Sequence, residues 1–308
     1  MKIDITSLRN AEASSLQKID RSPLRGGGGI ARDCPACNRI TEHAFCFNVN
    51  GCDILQCGSC GLGRSESCAF DPSGYYTNDY FCGRCADGYF DYPAAEPVLR
   101  HEFARTVKFI RRYIPRGRLV ELGCAYGFFL MEAARYFRVT GIELAQGAVE
   151  HAQRAGLNVI HGVADAATLP ATGSADVVVM LDVIEHLPEP RETLALCHRH
   201  LNPGGIVVIT TGDFGSLAAR LTGAKWRLMT PPQHLWFFTK ESMSRMAGHL
   251  GFAVEQVEHP WKIVPASLIL FQLKRMLGVG AGTLPNAAQR LGIPVNLFDA
   301  MRVVLRKP

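Results

Sequence analysis

Residues 119–127 read LVELGCAYG, an apolar strand that ends in a tight glycine turn. The next apolar run, residues 138–142, leads into Glu143, which follows Glu121 at roughly the 20-residue separation that places an acid on the tip of the second strand. In open α/β sheets, ligands bind at the carboxyl ends of the strands, and an acid at this tip can bind both hydroxyls of a ribose. The two segments together predict an α/β sheet that binds a ribose-containing ligand.

Strand-like and helix-like segments alternate outward from this stretch. Strands are predicted at residues 119–122, 138–142, 158–161, 177–181 and 206–210, and helices at residues 98–113, 128–136, 147–155 and 191–200. This alternation implies right-handed crossovers and a parallel sheet with helices on both faces. Two late strands, residues 253–259 and 301–305, are joined by an insertion, which suits an antiparallel pair at the edge of the sheet.

Three regions are predicted along the chain. Residues 1–30, which contain a run of four glycines, are expected to form a flexible N-terminal tail, and residues 31–75 a small cysteine-rich module. Residues 76–308 form the α/β domain. Its insertion at about 262–295 and the aromatic loop 231–238 are expected to cap the acceptor side of the ligand cleft.

Composition excludes several classes of protein. Of the 308 residues, 47% are hydrophobic and 20% charged, so a large core is expected and wholesale disorder is excluded. The net charge of +5 is spread along the chain, so no nucleic-acid partner is expected. The sequence has neither an apolar run long enough for a transmembrane helix nor the apolar core of a secretory signal. We therefore expect a cytoplasmic protein, in which the 11 cysteines are thiols or metal ligands rather than disulfides.

Two C-x-x-C pairs in the cysteine-rich module have the spacing of a four-cysteine zinc ribbon. They are Cys34 with Cys37 and Cys57 with Cys60. Four thiolates leave no open coordination position, so the predicted Zn²⁺ is structural.

A third C-x-x-C pair, Cys82 and Cys85, is less informative. It can join Cys46, Cys52 or Cys68 in a second metal site, or act as a redox pair. An accidental pair of loop thiols is the interpretation that we favour.

The glycine turn favours one class of ligand. Its pattern is E-x-G-x-x-x-G rather than the G-x-G-x-x-G of dinucleotide sites, and a carboxylate at the end of the strand would repel a pyrophosphate. The same carboxylate suits a ligand that carries an amino group, and S-adenosylmethionine has an amino group, a carboxylate and a ribose. Here the chain resembles the class I S-adenosylmethionine-dependent methyltransferases. The matching segments are residues 121–127, 141–143, 162–165, 176–186 and 201–205.

This resemblance implies a Rossmann-like sheet of seven strands, mostly parallel with an antiparallel last strand. It also implies a cofactor site at Glu121, Gly123, Ala125, Gly127, Glu143, Leu144, Asp165, Ala166, Leu181 and Asp182. Glu121 would lie at the methionine end, Glu143 at the ribose, Asp165 at the adenine and Asp182 beside the sulfonium. The alternative for Asp165 and Asp182 is that they are ordinary turn or cap acids. Ala125 departs from the family pattern, which usually has a second glycine there, and we expect binding to survive.

Two histidines are candidates for the catalytic base that a hydroxyl acceptor needs. His186 follows the fourth strand, and His234 lies in the aromatic loop beside Trp236, Phe237 and Phe238. We favour His234, because these aromatic side chains can form an apolar wall for the acceptor. The alternative is that His234 only packs the loop against the sheet.

The whole layout resembles a group of bacterial methyltransferases associated with polysaccharide or secondary-metabolite pathways. It favours methyl transfer to a small-molecule acceptor, an oxygen of a sugar, glycolipid or secondary metabolite. The alternative is an rRNA methyltransferase whose zinc ribbon docks RNA, although Arg39 is the only Lys or Arg between Cys37 and Cys57. A non-enzymatic zinc-ribbon scaffold is a third interpretation, against which the intact Glu121 and Glu143 count.

Overall fold

The computed structural model describes residues 29–66, 91–276 and 286–308. Several sequence predictions lie outside these residues. They are most of the tail 1–30, the end of the module 31–75, the third cysteine pair Cys82 and Cys85 with Cys68, and residues 277–285 of the insertion.

The described elements are strands, helices and short 3-10 turns. The strands are β1 (Ile30–Cys34), β2 (Arg39–Val49), β3 (Cys52–Cys57), β4 (Gly63–Glu66), β5 (Gly117–Leu122), β6 (Phe137–Glu143), β7 (Val159–His161), β8 (Ala175–Leu181), β9 (Leu201–Gly212), β10 (Trp236–Phe237), β11 (Ala253–Glu258), β12 (Lys262–Pro265), β13 (Gly292–Val295) and β14 (Ala300–Arg306). The helices are α1 (Glu96–Ile110), α2 (Phe128–Ala133), α3 (Gln146–Arg154), α4 (Thr168–Ala171), α5 (Pro190–His200), α6 (Leu217–Thr222), α7 (Lys240–His249), α8 (Ala266–Met276) and α9 (Asn286–Arg290). The 3-10 turns are Pro93–Ala95, Ile184–His186 and Gly223–Lys225.

A seven-stranded sheet forms the centre of the molecule, in the order β11-β14-β9-β8-β5-β6-β7. β14 runs antiparallel to both of its neighbours, and all the other pairs are parallel. The predicted Rossmann-like, mostly parallel sheet with an antiparallel last strand is therefore confirmed. The strand order reverses between β5 and β8, and in such sheets ligands bind at the carboxyl ends of the strands beside the reversal.

The core lies on both faces of this sheet. Residues 177–180 of β8 and 206–209 of β9 are fully buried, as expected for central strands with helices on both sides. Their side chains alternate between the faces. One face packs against α1, α2 and α3, and the other against α4, α5 and α7.

A second sheet joins the N-terminal module to the α/β domain. Its order is β1-β2-β3-β4-β10, and β10 (Trp236–Phe237) comes from the α/β domain. Trp236 of β10 lies opposite Arg64 of β4, and Phe237 lies opposite Gly63. A Cβ atom at Gly63 would lie 2.9 Å from the side chains of Phe214 and Phe237, so this close approach needs glycine. The module is thus hydrogen-bonded to the loop that carries His234.

The insertion after β11 folds back over the first helix of the domain. β12 and β13 form a two-stranded antiparallel sheet, and the Ile263 N–H donates to Glu102 of α1 at 2.8 Å. None of the helices in the described part of the chain has the length and hydrophobicity needed to cross a bilayer.

Candidate cofactor and acceptor site

The glycine turn after β5 has the backbone conformation that its sequence predicts. Gly123 and Gly127 have φ of 70° and 79°, in the left-handed region that favours glycine. A Cβ at Gly123 would lie 2.7 Å from Val183, and one at Gly127 would lie 2.4 Å from Leu157. Ala125 has φ of 45°, which explains why a glycine is usual at this position. The turn is tight enough for a ligand to approach its backbone closely.

Glu143 ends β6 and points at this turn. Its Oε2 accepts from the Ala125 N–H and its Oε1 from the Ala145 N–H, both at 2.8 Å. The side chain is buried, and burial raises the pKa of Glu143 although these backbone donors act to lower it. A carboxylate has about four acceptor positions, so both oxygens retain capacity for ribose hydroxyls. Glu143 therefore fixes the turn and also presents acceptors to the cleft.

Glu121 lies one strand away and is less well satisfied. Its side chain is 3% exposed, and its Oε2 has no hydrogen-bond partner among the described residues. Burial, and after it the charge of Glu143, raises the pKa of Glu121 well above its usual range. A buried carboxylate oxygen with no donor is costly unless a ligand supplies the donor. An ammonium group would supply both a donor and the opposite charge.

The positions after β6 and β7 are more open. The Oδ1 of Asp165 accepts from the N–H groups of Ala167 and Thr168 at 2.8 and 2.9 Å. Asp165 thus caps the turn into α4, which was the alternative interpretation for this residue, and these hydrogen bonds lower its pKa. Ala166 is exposed, and the Leu144 carbonyl accepts from His161 Nε2 at 2.9 Å.

The carboxyl end of β8 lies beside the inserted segment. Leu181 ends the strand and Asp182 follows with φ of 57°. The Asp182 carboxylate accepts from the Thr210 hydroxyl and forms an ion pair with Lys262, both at 2.9 Å. Because Lys262 begins β12, the insertion reaches the end of β8, where the sequence places the acceptor.

The two candidate catalytic histidines are in contact. The rings of His186 and His234 are 4.6 Å apart and meet edge to face. Burial lowers the pKa of both, and for His234 burial and then the neighbouring His186 lower it to about 3. His234 is therefore neutral near pH 7, which fits a lone-pair donor better than a strong base. Whether it acts as a base or only packs the loop stays a prediction.

The four predicted zinc ligands form a single buried cluster. Sγ of Cys34 lies 3.6 Å from Sγ of Cys60, and Sγ of Cys37 lies 3.9 Å from Sγ of Cys57. These separations exclude disulfides among the four cysteines, since bonded sulfurs lie about 2.05 Å apart. Cys52, in contrast, is disulfide-bonded, so the expectation that the cysteines form no disulfides is wrong at this position. Four ligands at about 2.3 Å around a tetrahedral Zn²⁺ would have their sulfurs about 3.8 Å apart. The cluster therefore fits the dimensions of a four-thiolate zinc site.

The α/β domain contributes to this cluster. Arg245 of α7 donates to Sγ of Cys37 at 3.9 Å, and the Thr239 hydroxyl donates to the Cys60 carbonyl at 3.2 Å. Thr239 is also the N-cap of α7. The first turn of α7 is thus built against the second cysteine pair.

The family follows from comparison with known proteins. The sequence profile described as a methyltransferase domain matches residues 97–257, just over half of the chain. The chain belongs to the methyltransferase domain family. Its α/β domain is a methyltransferase domain of the S-adenosylmethionine-dependent class.

Two curated relatives share this domain. The ubiquinone biosynthesis O-methyltransferase of Caulobacter sp. (strain K31) is 33% identical over 130 residues, which cover 39% of this chain and 52% of that protein. The protein of the same name from Caulobacter vibrioides is 30% identical over 164 residues, or 46% of this chain and 65% of that protein. The chain thus spans about half to two thirds of the length of these relatives.

One of the solved structures that align with this chain comes from Thermotoga maritima. It is described as an S-adenosylmethionine-dependent methyltransferase and possible histamine N-methyltransferase. It aligns with a TM-score of 0.49 at 18% identity, covering 74% of this chain and 99% of that chain.

Glu185 is a further candidate site residue that the sequence analysis missed. It precedes His186 in the segment that follows β8, is 4% exposed, and has an Oε2 with no hydrogen-bond partner among the described residues. Burial, and after it the charge of Asp182, raises the pKa of Glu185 to about 8. The signal was present, because residues 182–186 place two acids and a histidine directly after a central strand.

Proposed function

We propose that the protein transfers a methyl group from S-adenosylmethionine to a hydroxyl oxygen of a small-molecule acceptor. The observation that carries this proposal is the buried Glu121 carboxylate, whose Oε2 has no donor among the described residues and which lies on the strand next to that of Glu143. S-adenosylmethionine carries the ammonium and the ribose that these two acids would bind.

The chain's own residues then have distinct tasks. S-adenosylmethionine supplies a methyl carbon bonded to a positively charged sulfur. Glu121 would hold the ammonium, Glu143 the ribose hydroxyls, and the turn from Gly123 to Gly127 the carboxylate end. Asp165 and Ala166, with Leu144, would line the adenine side, and Leu181 and Asp182 the sulfonium side. His186 and His234 would orient and polarise the acceptor oxygen.

The reaction itself is an in-line displacement. The acceptor oxygen forms a bond to the methyl carbon as the carbon–sulfur bond breaks, and the electron pair of that bond passes to sulfur. The acceptor hydroxyl loses its proton. Orientation and exclusion of water supply most of the acceleration in such a reaction. Phe237 and Phe238 are buried beside His234, and they would keep the acceptor side dry.

The names of the curated relatives support a hydroxyl oxygen of a small molecule as the acceptor, because both are called ubiquinone biosynthesis O-methyltransferases. A sugar, glycolipid or secondary metabolite stays our prediction for the acceptor itself, as does a cytoplasmic location. Residues 29–66 give little support to the rRNA alternative, because they contain three arginines and four acidic residues and so carry no excess of positive charge. Arg32 and Arg64 both pair with Glu66, at 2.8 and 3.0 Å.

We also propose that Cys34, Cys37, Cys57 and Cys60 hold one structural Zn²⁺, and that residues 31–75 form the zinc ribbon that precedes the methyltransferase domain. The sulfur separations and complete burial of the four thiols support this assignment. The N–H of Arg245 and the hydroxyl of Thr41, 3.1 Å from Sγ of Cys57, would donate to the thiolates and stabilise their charge.

Calorimetry and a transfer assay test the function. We expect wild-type protein to bind S-adenosylhomocysteine with 1:1 stoichiometry, and to transfer a tritiated methyl group to members of a panel of hydroxylated sugars, glycolipids and phenols. The matched panel contains the same molecules with each hydroxyl already methylated, and it should accept no label. Failure to bind S-adenosylhomocysteine would overturn the cofactor assignment. Labelling of rRNA instead of the panel would favour the rRNA alternative.

A further inference from the structure

Three side chains beyond β8 form a cluster with the chemistry of a metal site. A carboxylate oxygen of Glu185 and one ring nitrogen each from His186 and His234 all lie within 4.8 Å of one another. Glu185 and His186 belong to the 3-10 turn Ile184–His186, and His234 reaches them from the loop before β10. The Leu235 N–H donates to the Glu185 carbonyl at 2.9 Å, which fixes the two segments together.

The hydrogen bonds of both histidines suit metal ligation. Nδ1 of His186 lies 2.9 Å from the Gln233 carbonyl, and Nδ1 of His234 lies 2.8 Å from the Leu228 carbonyl. Because a carbonyl only accepts, each Nδ1 must carry the proton, and the lone pair of each neutral ring is then on Nε2. Histidine ligands in metal sites are commonly oriented in this way, with the second ring nitrogen donating to a backbone carbonyl.

Glu185 provides an independent sign of a missing ligand. Its side chain is 4% exposed and its Oε2 has no hydrogen-bond partner in the described part of the chain. Glu185 and His234 line a cavity about the size of one water molecule, together with Thr211, whose buried hydroxyl lies beside the Glu185 carboxylate and acts to lower its pKa. Buried polar atoms are usually satisfied, so the Oε2 of Glu185, which has no hydrogen-bond partner among the described residues, indicates an occupant of this small cavity.

We propose that Glu185, His186 and His234 bind a divalent transition-metal cation on the acceptor side of the cleft. Two imidazole nitrogens and one carboxylate suit Mn²⁺, Fe²⁺ or Zn²⁺ and leave coordination positions open. Ligands at about 2.1 Å from such an ion lie roughly 3.0–3.4 Å apart, so side-chain atoms that already lie within 4.8 Å of one another need only small movements to bind it. Asp182, next to the turn and paired with Lys262, adds a second carboxylate near the cation.

The role of the cation rests on the proposed function. A hydroxyl oxygen that occupies an open position on the cation loses its proton to solvent water more readily. The resulting oxyanion forms the bond to the methyl carbon while the carbon–sulfur bond breaks and its electron pair passes to sulfur. His234 then acts as a ligand, and no histidine needs to act as the base. Positions that the protein leaves open on the cation would bind the acceptor and set its orientation.

Mn²⁺ titration followed by electron paramagnetic resonance tests the site without any methyl transfer. Thiolate clusters favour softer ions, so Mn²⁺ reports on the nitrogen and oxygen ligands rather than on the four cysteines. Protein dialysed against a chelator should bind one Mn²⁺ per chain. Its spin-echo modulation should show nitrogen-14 of coordinated imidazole. Glu185→Gln and His234→Gln should each raise the Mn²⁺ dissociation constant at least tenfold.

Matched controls and a second readout keep the result unambiguous. Glu150→Gln and His249→Gln carry the same changes at exposed positions and should bind Mn²⁺ as wild type does. Thermal melting shows which variants fold. If a variant does not fold, the nitrogen-14 modulation of the wild-type protein still shows whether histidine binds the Mn²⁺. Wild-type protein that binds no Mn²⁺, or binds it without nitrogen modulation, overturns the proposal. Calorimetry with S-adenosylhomocysteine on the same sample tests the proposed function separately.

Discussion

Replacing Glu121 by Gln should stabilise the ligand-free protein and weaken its binding of the cofactor. Glu121 is 3% exposed and its Oε2 has no donor among the described residues. Gln has nearly the same shape and no charge, so the variant removes the cost of an ionised, unpaired carboxylate. That cost is about 1–3 kcal/mol. A change of 1 kcal/mol shifts the melting temperature of a protein of this size by about 2–4 °C. We therefore expect a rise of roughly 2–12 °C at pH 8.5.

The direction of the pKa shift of Glu121 determines how the stability gained by Glu121→Gln changes with pH. Burial, and after it the charge of Glu143, raises the pKa of Glu121 in the folded protein above its ordinary value of 4.5. A group with a raised folded-state pKa contributes stability that is complete below its unfolded pKa and is lost as the pH rises through its folded pKa. The advantage of Glu121→Gln should therefore be absent below about pH 4.5 and should grow as the pH increases above it.

Cofactor binding should change in the opposite direction. A hydrogen bond between ionised groups contributes about 1.5–3 kcal/mol, so its loss should weaken S-adenosylhomocysteine binding by roughly 10- to 150-fold. Calorimetry measures this affinity, and scanning fluorimetry from pH 5 to pH 9 measures the melting temperature. Glu150→Gln, an exposed substitution on α3, is the control for both. A variant that melts below the wild type at pH 8.5 and binds S-adenosylhomocysteine equally well would refute the assignment of Glu121.

Four further outcomes are expected. Glu143→Ala removes the acceptor of two backbone N–H groups and of the ribose, so calorimetry should show at least a tenfold loss of S-adenosylmethionine affinity in a folded domain. Cys57→Ser should lose one equivalent of zinc by metal analysis and unfold the N-terminal module, because metal binding and folding are coupled there. The free energy of unfolding, measured in urea, should fall by about 1–3 kcal/mol more for Gly127→Ala than for Gly156→Ala. Both glycines have φ near 80°, but only the Cβ at position 127 would meet Leu157. His234→Ala should lower turnover by about 10²–10⁴-fold and leave cofactor affinity nearly unchanged, and near-normal turnover would remove His234 from the mechanism.

Local patterns predicted the cofactor side of the molecule from the sequence. The glycine turn and the acid that ends β6 belong to one strand–helix–strand unit, β5 to β6. The geometry of such a unit is nearly the same wherever it occurs, so the two features are placed close together. The four zinc-ligand candidates are similarly local, because each C-x-x-C pair closes one turn. The structure brings Glu121, Glu143 and the turn together for this reason.

The acceptor side depends on contacts that local patterns do not report. β10 pairs with β4, although about half of the chain separates them in sequence. Asp165 shows a second limit, because a capping acid and a ligand-binding acid look alike in the sequence. Glu185 shows a third, because its significance depends on the approach of His234 from a distant loop.

The N-terminal module supports the loop that we propose for the acceptor site. The Ser65 N–H of β4 donates to the Leu235 carbonyl at 2.9 Å, and the Asn50 side chain donates to the Pro231 carbonyl at 2.8 Å. These contacts hold the loop 231–238 from one side, and the Glu185 carbonyl holds it from the other. Without β4, β10 would be a two-residue strand with no strand partner in its sheet, and the loop that carries His234 would lose these hydrogen bonds. Because the family profile begins at residue 97, the module that supports this loop lies outside the matched domain. The support of the proposed acceptor loop therefore comes partly from residues that the family match does not cover, so the conformation of this loop depends on a part of the chain that the shared domain does not specify.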